Sequence, residues 1–195
     1  MDIVLNQVSK AFGEKQIFNQ FSITFPEKEI TGIMAPSGFG KTTLLRMLMG
    51  LCPPDHGSIL GIDCKKSAVF QEDRLCRQLT ALTNIRLTNP KLTNEEVEKA
   101  MEAVGLDSCA HQPVRELSGG MCRRVAILRA LLSEYELLFL DEPFKGLDEK
   151  TKELVMADTK RRCQGKTVIL VTHDGTELEA MGAKTVILGP EEQAK

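Results

Sequence analysis

The chain has 195 residues, of which 42% are hydrophobic and 27% charged, so it can bury one sizeable core but is too short for two large independent domains. Twenty-five Lys and Arg residues against 27 Asp and Glu residues give a net charge of -2, which argues against a broad basic surface for nucleic acid or anionic lipid. The sequence has neither a secretory signal pattern nor an apolar stretch of roughly 20 residues, and six cysteines without a Cys-x-x-Cys pair predict free thiols in the cytoplasm.

The first part of the chain predicts five strands and one helix. Alternating apolar residues indicate two half-buried antiparallel strands, and a third short strand runs into a glycine-rich loop. A helix that ends before Gly50 follows this loop. The predicted strands cover residues 2–8, 17–25, 29–34, 58–61 and 67–70, and the predicted helix covers residues 41–49.

The second part of the chain predicts a sheet covered by helices. Residues 71 to about 116 have a mostly helical pattern, and Thr93 with Glu96 forms a capping box. After this segment helices alternate with strands, which predicts a mostly parallel sheet with both faces covered. The predicted helices cover residues 119–133, 148–162 and 176–181, and the predicted strands cover residues 136–140, 167–172 and 184–188.

The segment from Ala35 to Thr42 predicts a loop that binds phosphate. Gly38 and Gly40 allow backbone N–H groups to turn toward a phosphate chain, and Lys41 adds a positive charge at the start of a helix. The hydroxyl of Thr42 is suited to Mg²⁺. The usual pattern has Gly where this chain has Ala35, so we expect Ala35 either to take an ordinary conformation or to alter the start of the loop. The alternative is an incidental glycine-rich turn before a helix.

The apolar run over residues 137–140 predicts a strand buried on both faces, and Asp141 and Glu142 follow it directly. Ligands of open α/β sheets bind at the carboxyl ends of the strands, so we expect Asp141 beside the phosphate loop, where it can hold the hydration shell of Mg²⁺. Glu142 is placed to orient a water that attacks a γ-phosphate, or to accept a proton from it. Taken alone, the same residues are equally compatible with a polar helix start.

A third pattern, Leu-Ser-Gly-Gly-Met over residues 117–121, leads to a family. Together with the two preceding patterns, Gln71, Gly-Leu-Asp over 146–148 and His173, it resembles the ATPase subunits of ATP-binding cassette (ABC) transporters over nearly the whole chain. The resemblance implies an α/β fold, a single ABC ATPase domain over 1–195 with a RecA-like P-loop NTPase core and a mostly parallel sheet. An N-terminal antiparallel β subdomain and an inserted α-helical subdomain at about 72–117 would complete it.

The resemblance also implies ligands and roles for individual residues. ATP and Mg²⁺ are the expected cofactors, bound in a head-to-tail homodimer that forms with ATP. The expected catalytic residues are Lys41, Gln71, Glu142 and His173. The expected Mg²⁺ ligands are Thr42, Gln71 and Asp141. The expected nucleotide-binding residues are Phe12, Pro36, Ser37, Gly38, Phe39, Gly40, Lys41, Thr42, Thr43, Ser118, Gly119, Gly120 and Asp148.

Several of these positions keep a second interpretation. Phe12 matches an aromatic residue that stacks on adenine, although an isolated Phe is more often part of a core. Asp148 matches a residue that communicates across the dimer, but it is equally suited to cap the next helix. Met121 stands where many family members have Gln, and some importer ATPases also carry Met there. A metal site at Cys109 and His111 is improbable because a second pair of ligands is absent from their neighbourhood in the sequence.

We therefore expect an ATP hydrolase that powers an ABC transporter at the cytoplasmic face of the membrane. Its expected partners are a transmembrane permease and a substrate-binding protein, and nucleic acid is not expected. Residues 72–75 and 79–81 resemble importer ATPases of the nitrate, sulfonate and taurine type, but Cys-Arg-Gln over 76–78 stands where that type often has Leu-Pro-Trp, so the substrate is open. Export, a soluble ABC ATPase acting on DNA or ribosomes, and a nucleotide-gated assembly module also stay open.

Overall fold

Two β-sheets organise the protein in the computed structural model, which describes residues 1–36 and 38–189. An antiparallel sheet has the strand order β2-β1-β4, and a five-stranded parallel sheet has the order β5-β6-β7-β3-β8. The strands are β1 (Ile3–Phe12), β2 (Lys15–Phe25), β3 (Ile30–Met34), β4 (His56–Leu60), β5 (Lys66–Val69), β6 (Leu137–Asp141), β7 (Thr167–Val171) and β8 (Lys184–Ile187). The predicted α/β class, with a parallel sheet and an N-terminal antiparallel part, is confirmed.

Six α-helices connect and cover these strands in the described chain. They are α1 (Lys41–Leu48), α2 (Ala81–Arg86), α3 (Asn94–Glu102), α4 (Gly119–Leu131), α5 (Glu149–Arg162) and α6 (Gly175–Met181), with a short 3₁₀ helix at Val114–Glu116. The predicted capping box at the start of α3 is present, since Thr93 and Glu96 each accept a bond from the other's backbone N–H.

The mostly helical pattern predicted for residues 71 to 116 is only partly correct. Residues 71–80 form an irregular loop, and helix occurs only in α2, α3 and the 3₁₀ turn. The guanidinium of Arg129 binds the carbonyls of Asp73 and Arg74, so the backbone of this loop is bonded to a distant helix and not to its own next turn. Gly105, with a φ of +69°, follows the end of α3.

The two faces of the parallel sheet pack against different cores. One core joins the antiparallel sheet and α1 to the residues Leu137, Phe139, Ile169 and Val171. The other joins α2, α3, α4 and α5 to the residues Leu138, Leu140, Val168 and Leu170. Neighbouring residues of β6 and β7 therefore point to opposite faces, as the period of two in a strand requires.

Parallel pairing also brings three loops to one edge. Phe139 pairs with Ile169 and Asp141 pairs with Val171, while Ile33 of β3 pairs with Val171 on the other side of β7. The segments that leave β3, β6 and β7 therefore begin side by side at the carboxyl edge of the sheet, where α/β folds place their ligands.

Candidate functional site

The phosphate loop after β3 requires glycine at its last position. Gly40 caps α1 with a φ of +98°, and a Cβ there would lie 2.5 Å from the side chain of Ile17 and 3.1 Å from the ring of Phe18. Gly38 also has a positive φ, +83°. Ala35 is not among the described residues with positive φ, so of the two expectations for it the ordinary conformation is the one observed.

The ammonium of Lys41 is held by the loop itself. Its Nζ donates to the carbonyl oxygens of Ala35 at 2.5 Å and Pro36 at 3.1 Å, while the N–H of Phe39 donates to Pro36 at 3.3 Å. These bonds keep a positive charge at the N-terminus of α1, which is the position where a phosphate chain needs it. Ser37 lies outside the described residues, so its contact with nucleotide stays a prediction.

A cleft of about 490 Å³ joins the predicted residues around this loop. Its lining includes Phe12, Thr42, Thr43, Gln71 and Asp141. Phe12 is 52% exposed, which excludes the alternative that it belongs to the core and suits a stacking role. Lys10 Nζ lies over its ring, 5.4 Å from the centroid. An aromatic platform, hydroxyl groups, an amide and a carboxylate thus share one cleft.

Glu142 and His173 meet at the same sheet edge. Glu142 Oε2 lies 2.8 Å from His173 Nδ1, and the side chain of Glu142 is 14% exposed whereas that of His173 is 69% exposed. Glu142 has a φ of +48°, an unusual conformation for a residue with a side chain, and its N–H donates to the carbonyl of Val171. The carboxylate is therefore anchored from the backbone while the imidazole faces outward.

Asp141, the last residue of β6, is partly buried. Burial raises the pKa of its carboxyl, and the adjacent charge of Glu142 raises it further, while Arg123 and Lys41 act in the opposite direction. A carboxylate that lacks solvation gains strongly from a bound cation. Thr42, Gln71 and Asp141 all offer oxygen atoms, the donor set that Mg²⁺ prefers together with phosphates. The described residues contain no cluster of three or more His, Cys, Asp or Glu side chains able to hold a metal.

The Ser-Gly-Gly segment, residues 118–120, begins α4 and is not part of the cleft lining. Ser118 caps the helix, and its Oγ accepts from the N–H of Met121 at 3.3 Å. A Cβ added to Gly119 would meet no atom within 4 Å, and one added to Gly120 would only touch Leu147 at 3.7 Å. Neither glycine has a positive φ, so neither is required by the packing or the backbone of its own chain.

Asp148 caps α5, which was one of its two interpretations. Its Oδ1 accepts from the N–H of Thr151 at 3.1 Å, and the hydrogen bonds from Thr151 lower the pKa of this exposed carboxyl. The cap occupies one carboxylate oxygen. A contact across a dimer stays a prediction.

Two basic residues beside the site were missed by the sequence reasoning, Arg123 and Lys152. Arg123 is only 5% exposed and binds the segments on either side of the cleft. Lys152 Nζ donates to Asp174 Oδ2 at 2.7 Å and to Glu177 Oε1 at 2.9 Å, in the segment that follows His173. Burial acts to lower the pKa of Lys152, but the bonds to Asp174 and Glu177 outweigh it and the pKa is raised. In the sequence, each is only a charged residue within a predicted helix. A single sequence does not show that these helix positions are buried.

The comparisons with known proteins converge on one family. The model of the family described as "ABC transporter" matches residues 18–145. The chain is 37% identical over 191 residues to "Aliphatic sulfonates import ATP-binding protein SsuB 3" of Rhodococcus jostii, which covers 95% of this chain and 70% of that protein. It is 37% identical over 189 residues to "Aliphatic sulfonates import ATP-binding protein SsuB 2" of Frankia alni, covering 95% of the chain and 76% of that protein.

An export protein is similar to the same degree. "Nod factor export ATP-binding protein I" of Sinorhizobium fredii is 37% identical over 189 residues, which cover 88% of this chain and 55% of that protein. The range matched by the family model contains the phosphate loop, Gln71, residues 118–120 and both carboxylates of 141–142. Phe12, Asp148 and His173 lie outside it. None of the helices in the described ranges is long and apolar enough to span a bilayer.

Proposed function

The chain belongs to the ABC transporter family as an ATP-binding and ATP-hydrolysing subunit that energises transport, and on this premise we propose that it drives import through a transmembrane permease. The names of the two sulfonate import proteins support this direction, and they also support a substrate-binding protein as a further partner. The similarity to a Nod factor export protein makes the direction of transport a point for experiment.

The observation that carries the proposal is the cleft at the carboxyl edge of the sheet. The exposed ring of Phe12 is suited to adenine, and the N-terminus of α1 with Lys41 is suited to the phosphate chain. Glu142 and His173 stand at the same edge, on the loops after β6 and β7. A nucleoside triphosphate laid along this cleft would bring its γ-phosphate toward that pair.

We further propose Mg²⁺ as the metal that accompanies ATP. The hydroxyl of Thr42, the carboxylate of Asp141 and the amide oxygen of Gln71 fit it as oxygen donors lining one cleft. When bound, Mg²⁺ neutralises charge on the phosphate oxygens during transfer. Burial disfavours the ionised form of the Asp141 carboxyl and raises its pKa, so a bound cation would stabilise the carboxylate.

Glu142 is the residue that we propose to manage the attacking water. One carboxylate oxygen, Oε2, contacts His173 Nδ1, so the second oxygen is the one to accept a hydrogen bond or a proton from water. When protonated, His173 donates from both ring nitrogens, to Glu142 through Nδ1 and to an oxygen of the γ-phosphate through Nε2. The exposed position of the imidazole suits that contact.

Residues 118–120 are proposed to complete the site of a second copy. They do not line the cleft of their own chain, yet they offer a hydroxyl, helix N–H groups and two glycines that the chain itself does not need. A head-to-tail homodimer formed with ATP would place this helix start against the partner's γ-phosphate. The open space around Gly119 supports a close approach from outside the chain.

The remaining partners follow from the same proposal. Residues at about 72–117, which contain α2 and α3, would form the helical subdomain whose first part contacts the permease. The permease would hold the protein at the cytoplasmic face of the membrane. We do not expect nucleic acid as a partner, because a net charge of -2 gives no general attraction to phosphodiester chains.

The experiment that tests the proposal replaces Glu142 with Gln. We expect the hydrolysis rate to fall by about 10²-fold or more while the affinity for ATP, measured by calorimetry, is retained. Glu153→Gln, the same change on an exposed part of α5, is the matched control and should keep the wild-type rate. Hydrolysis at the wild-type rate by Glu142→Gln would remove Glu142 from its role. Reconstitution with the permease in vesicles, loaded with substrate inside or outside, then decides the direction of transport.

A further inference from the structure

The side chain of Arg123 connects three segments of the site from within. The side chain is only 6% exposed, and its guanidinium lies where α4, the loop after β5 and the loop after β6 meet. From Nη1 it donates to the carbonyls of Phe70 at 2.6 Å and Gln71 at 3.4 Å and to Asp73 Oδ1 at 3.0 Å. These bonds hold the loop that carries Gln71.

The other two nitrogens hold the loop that carries the catalytic carboxylates. Nη2 donates to the carbonyls of Asp141 at 3.1 Å and Glu142 at 2.6 Å, and Nε donates to the carbonyl of Pro143 at 2.7 Å. Five N–H groups are thus shared among six acceptors, which uses the whole fork of the guanidinium. Lysine, with three donors at one point, cannot bridge the same set.

The conformation of Glu142 explains why three consecutive carbonyls need a common donor. Its φ of +48° is costly for a residue with a side chain, by about 1 to 3 kcal/mol, and such a conformation persists only when the surroundings fix it. Arg123 binds the carbonyls of the residue before, the residue itself and the residue after. The direction of the Glu142 carboxylate therefore depends on this guanidinium.

We propose that Arg123 is a positioning residue that keeps Gln71 and Glu142 in register with each other and with the helix α4 that begins at residues 118–120. Because one rigid guanidinium binds the carbonyls of both residues, a displacement of the Gln71 loop moves the support of the catalytic carboxylate. Arg123 itself does not touch the substrate. The inference rests on the proposed hydrolytic function and adds the residue that links its two sides.

The test compares Arg123→Lys with wild type in steady-state ATP hydrolysis. We expect kcat to fall by about 10-fold to 100-fold and KM for ATP to change by less than about threefold, because the fork positions Glu142 for the transition state and not the nucleotide in the ground state. The control is Arg162→Lys, which alters a guanidinium bonded to the buried carboxylate of Asp158 and distant from both loops. Arg162→Lys should lower the melting temperature but should not lower kcat relative to KM for ATP.

Two further variants test the proposal even if Arg123→Lys folds poorly. Asp73→Asn removes the only carboxylate that the guanidinium contacts in the described chain, and we expect a smaller loss of kcat in the same direction. Combining Arg123→Lys with Gln71→Ala should be clearly non-additive, with the double variant losing less than the product of the two single losses. Additive losses, or a raised KM with unchanged kcat, would overturn the proposal.

Failure of the inference differs from failure of the proposed function. If the chain hydrolyses ATP and Glu142→Gln abolishes it while Arg123→Lys keeps the wild-type kcat, the proposed function stands and Arg123 has no positioning role. If wild type does not hydrolyse ATP under conditions where it binds it, the proposed function fails first. A kcat loss in Arg123→Lys that matches the loss of folded protein would also reject the positioning role.

Discussion

The phosphate loop and the Ser-Gly-Gly segment at 118–120 are both glycine-containing starts of helices, but the chain constrains them differently. At Gly40 the backbone is left-handed and the side chains of Ile17 and Phe18 fill the space that a Cβ would need. At Gly119 the φ is not positive and a Cβ would meet no described atom within 4 Å. The first glycine is required by its own fold, and the second leaves room that only another molecule would use.

The two regions therefore differ in what restricts their residues: contacts within the chain in the first region, and the approach of another molecule in the second. In the first region, Lys41, Glu142 and His173 are held by bonds within the chain, and Glu142 has a strained φ of +48°. The helix start at 118–120 is accessible and its cap is satisfied by Ser118 alone. Changes in the first region should therefore cost stability as well as activity, whereas changes in the second should cost activity only.

The largest loss of stability is expected for Gly40→Ala. The new Cβ would combine a strained φ of +98° with a 2.5 Å contact to Ile17, and we expect the free energy of unfolding to decrease by about 3 kcal/mol. Gly50→Ala is the matched control, because Gly50 follows the same helix with a φ of +76° but has open space around it, and it should lose only about 1 kcal/mol. Urea unfolding followed by circular dichroism measures both. Equal losses would show that packing at Gly40 contributes nothing.

A smaller loss is expected for Lys152→Met beside His173. The change leaves Asp174 and the buried Glu177 without their common cation, which we expect to cost about 2 kcal/mol of stability at neutral pH. The bond from Lys152 is the main cause that lowers the pKa of Asp174 in the folded protein. Its stabilising contribution is therefore present above the unfolded pKa of about 4 and is lost as the pH falls through the lower folded value.

The pH dependence makes this prediction specific. The difference in stability between wild type and Lys152→Met should be largest at neutral pH and should shrink in acid, where the carboxylates become protonated in both proteins. Denaturant unfolding at a series of pH values measures it, with Lys150→Met on the exposed side of α5 as the control. A difference that stays constant into acid would show that Lys152 acts through packing and not through its charge.

The sequence was sufficient for the fold class and for the family, because strand periodicity, the glycine-rich loop and the Leu-Ser-Gly-Gly-Met pattern at 117–121 are all local signals. It did not specify that the segment after β5 is a loop, since its carbonyls are bound by Arg123 and Arg129 from a helix about 50 residues later. The six acceptors of Arg123 are likewise distant in sequence. Position on one sheet edge could be predicted for Glu142 and His173, but their 2.8 Å contact could not.

The smallest change in stability, with a clear loss of activity, is expected for Gly119→Val. A Cβ at Gly119 meets no atom within 4 Å and the φ there is not positive, so we expect the free energy of unfolding to change by no more than about 0.5 kcal/mol. If a second copy presents its nucleotide to this helix start, the added methyl groups obstruct it and hydrolysis should fall by about tenfold or more, equivalent to about 1.4 kcal/mol.

Lys145→Val, a change of an exposed residue between the carboxylates and Gly146, is not a suitable control because it lies in the loop that carries Glu142, the proposed catalytic residue. Glu95→Val, in the exposed first turn of α3, serves instead. ATP-dependent dimerisation, measured by light scattering with Glu142→Gln, the variant expected to bind ATP without hydrolysing it, should disappear when Gly119→Val is added. A dimer of unchanged affinity that hydrolyses ATP at the usual rate would mean that the space at Gly119 has no role in assembly.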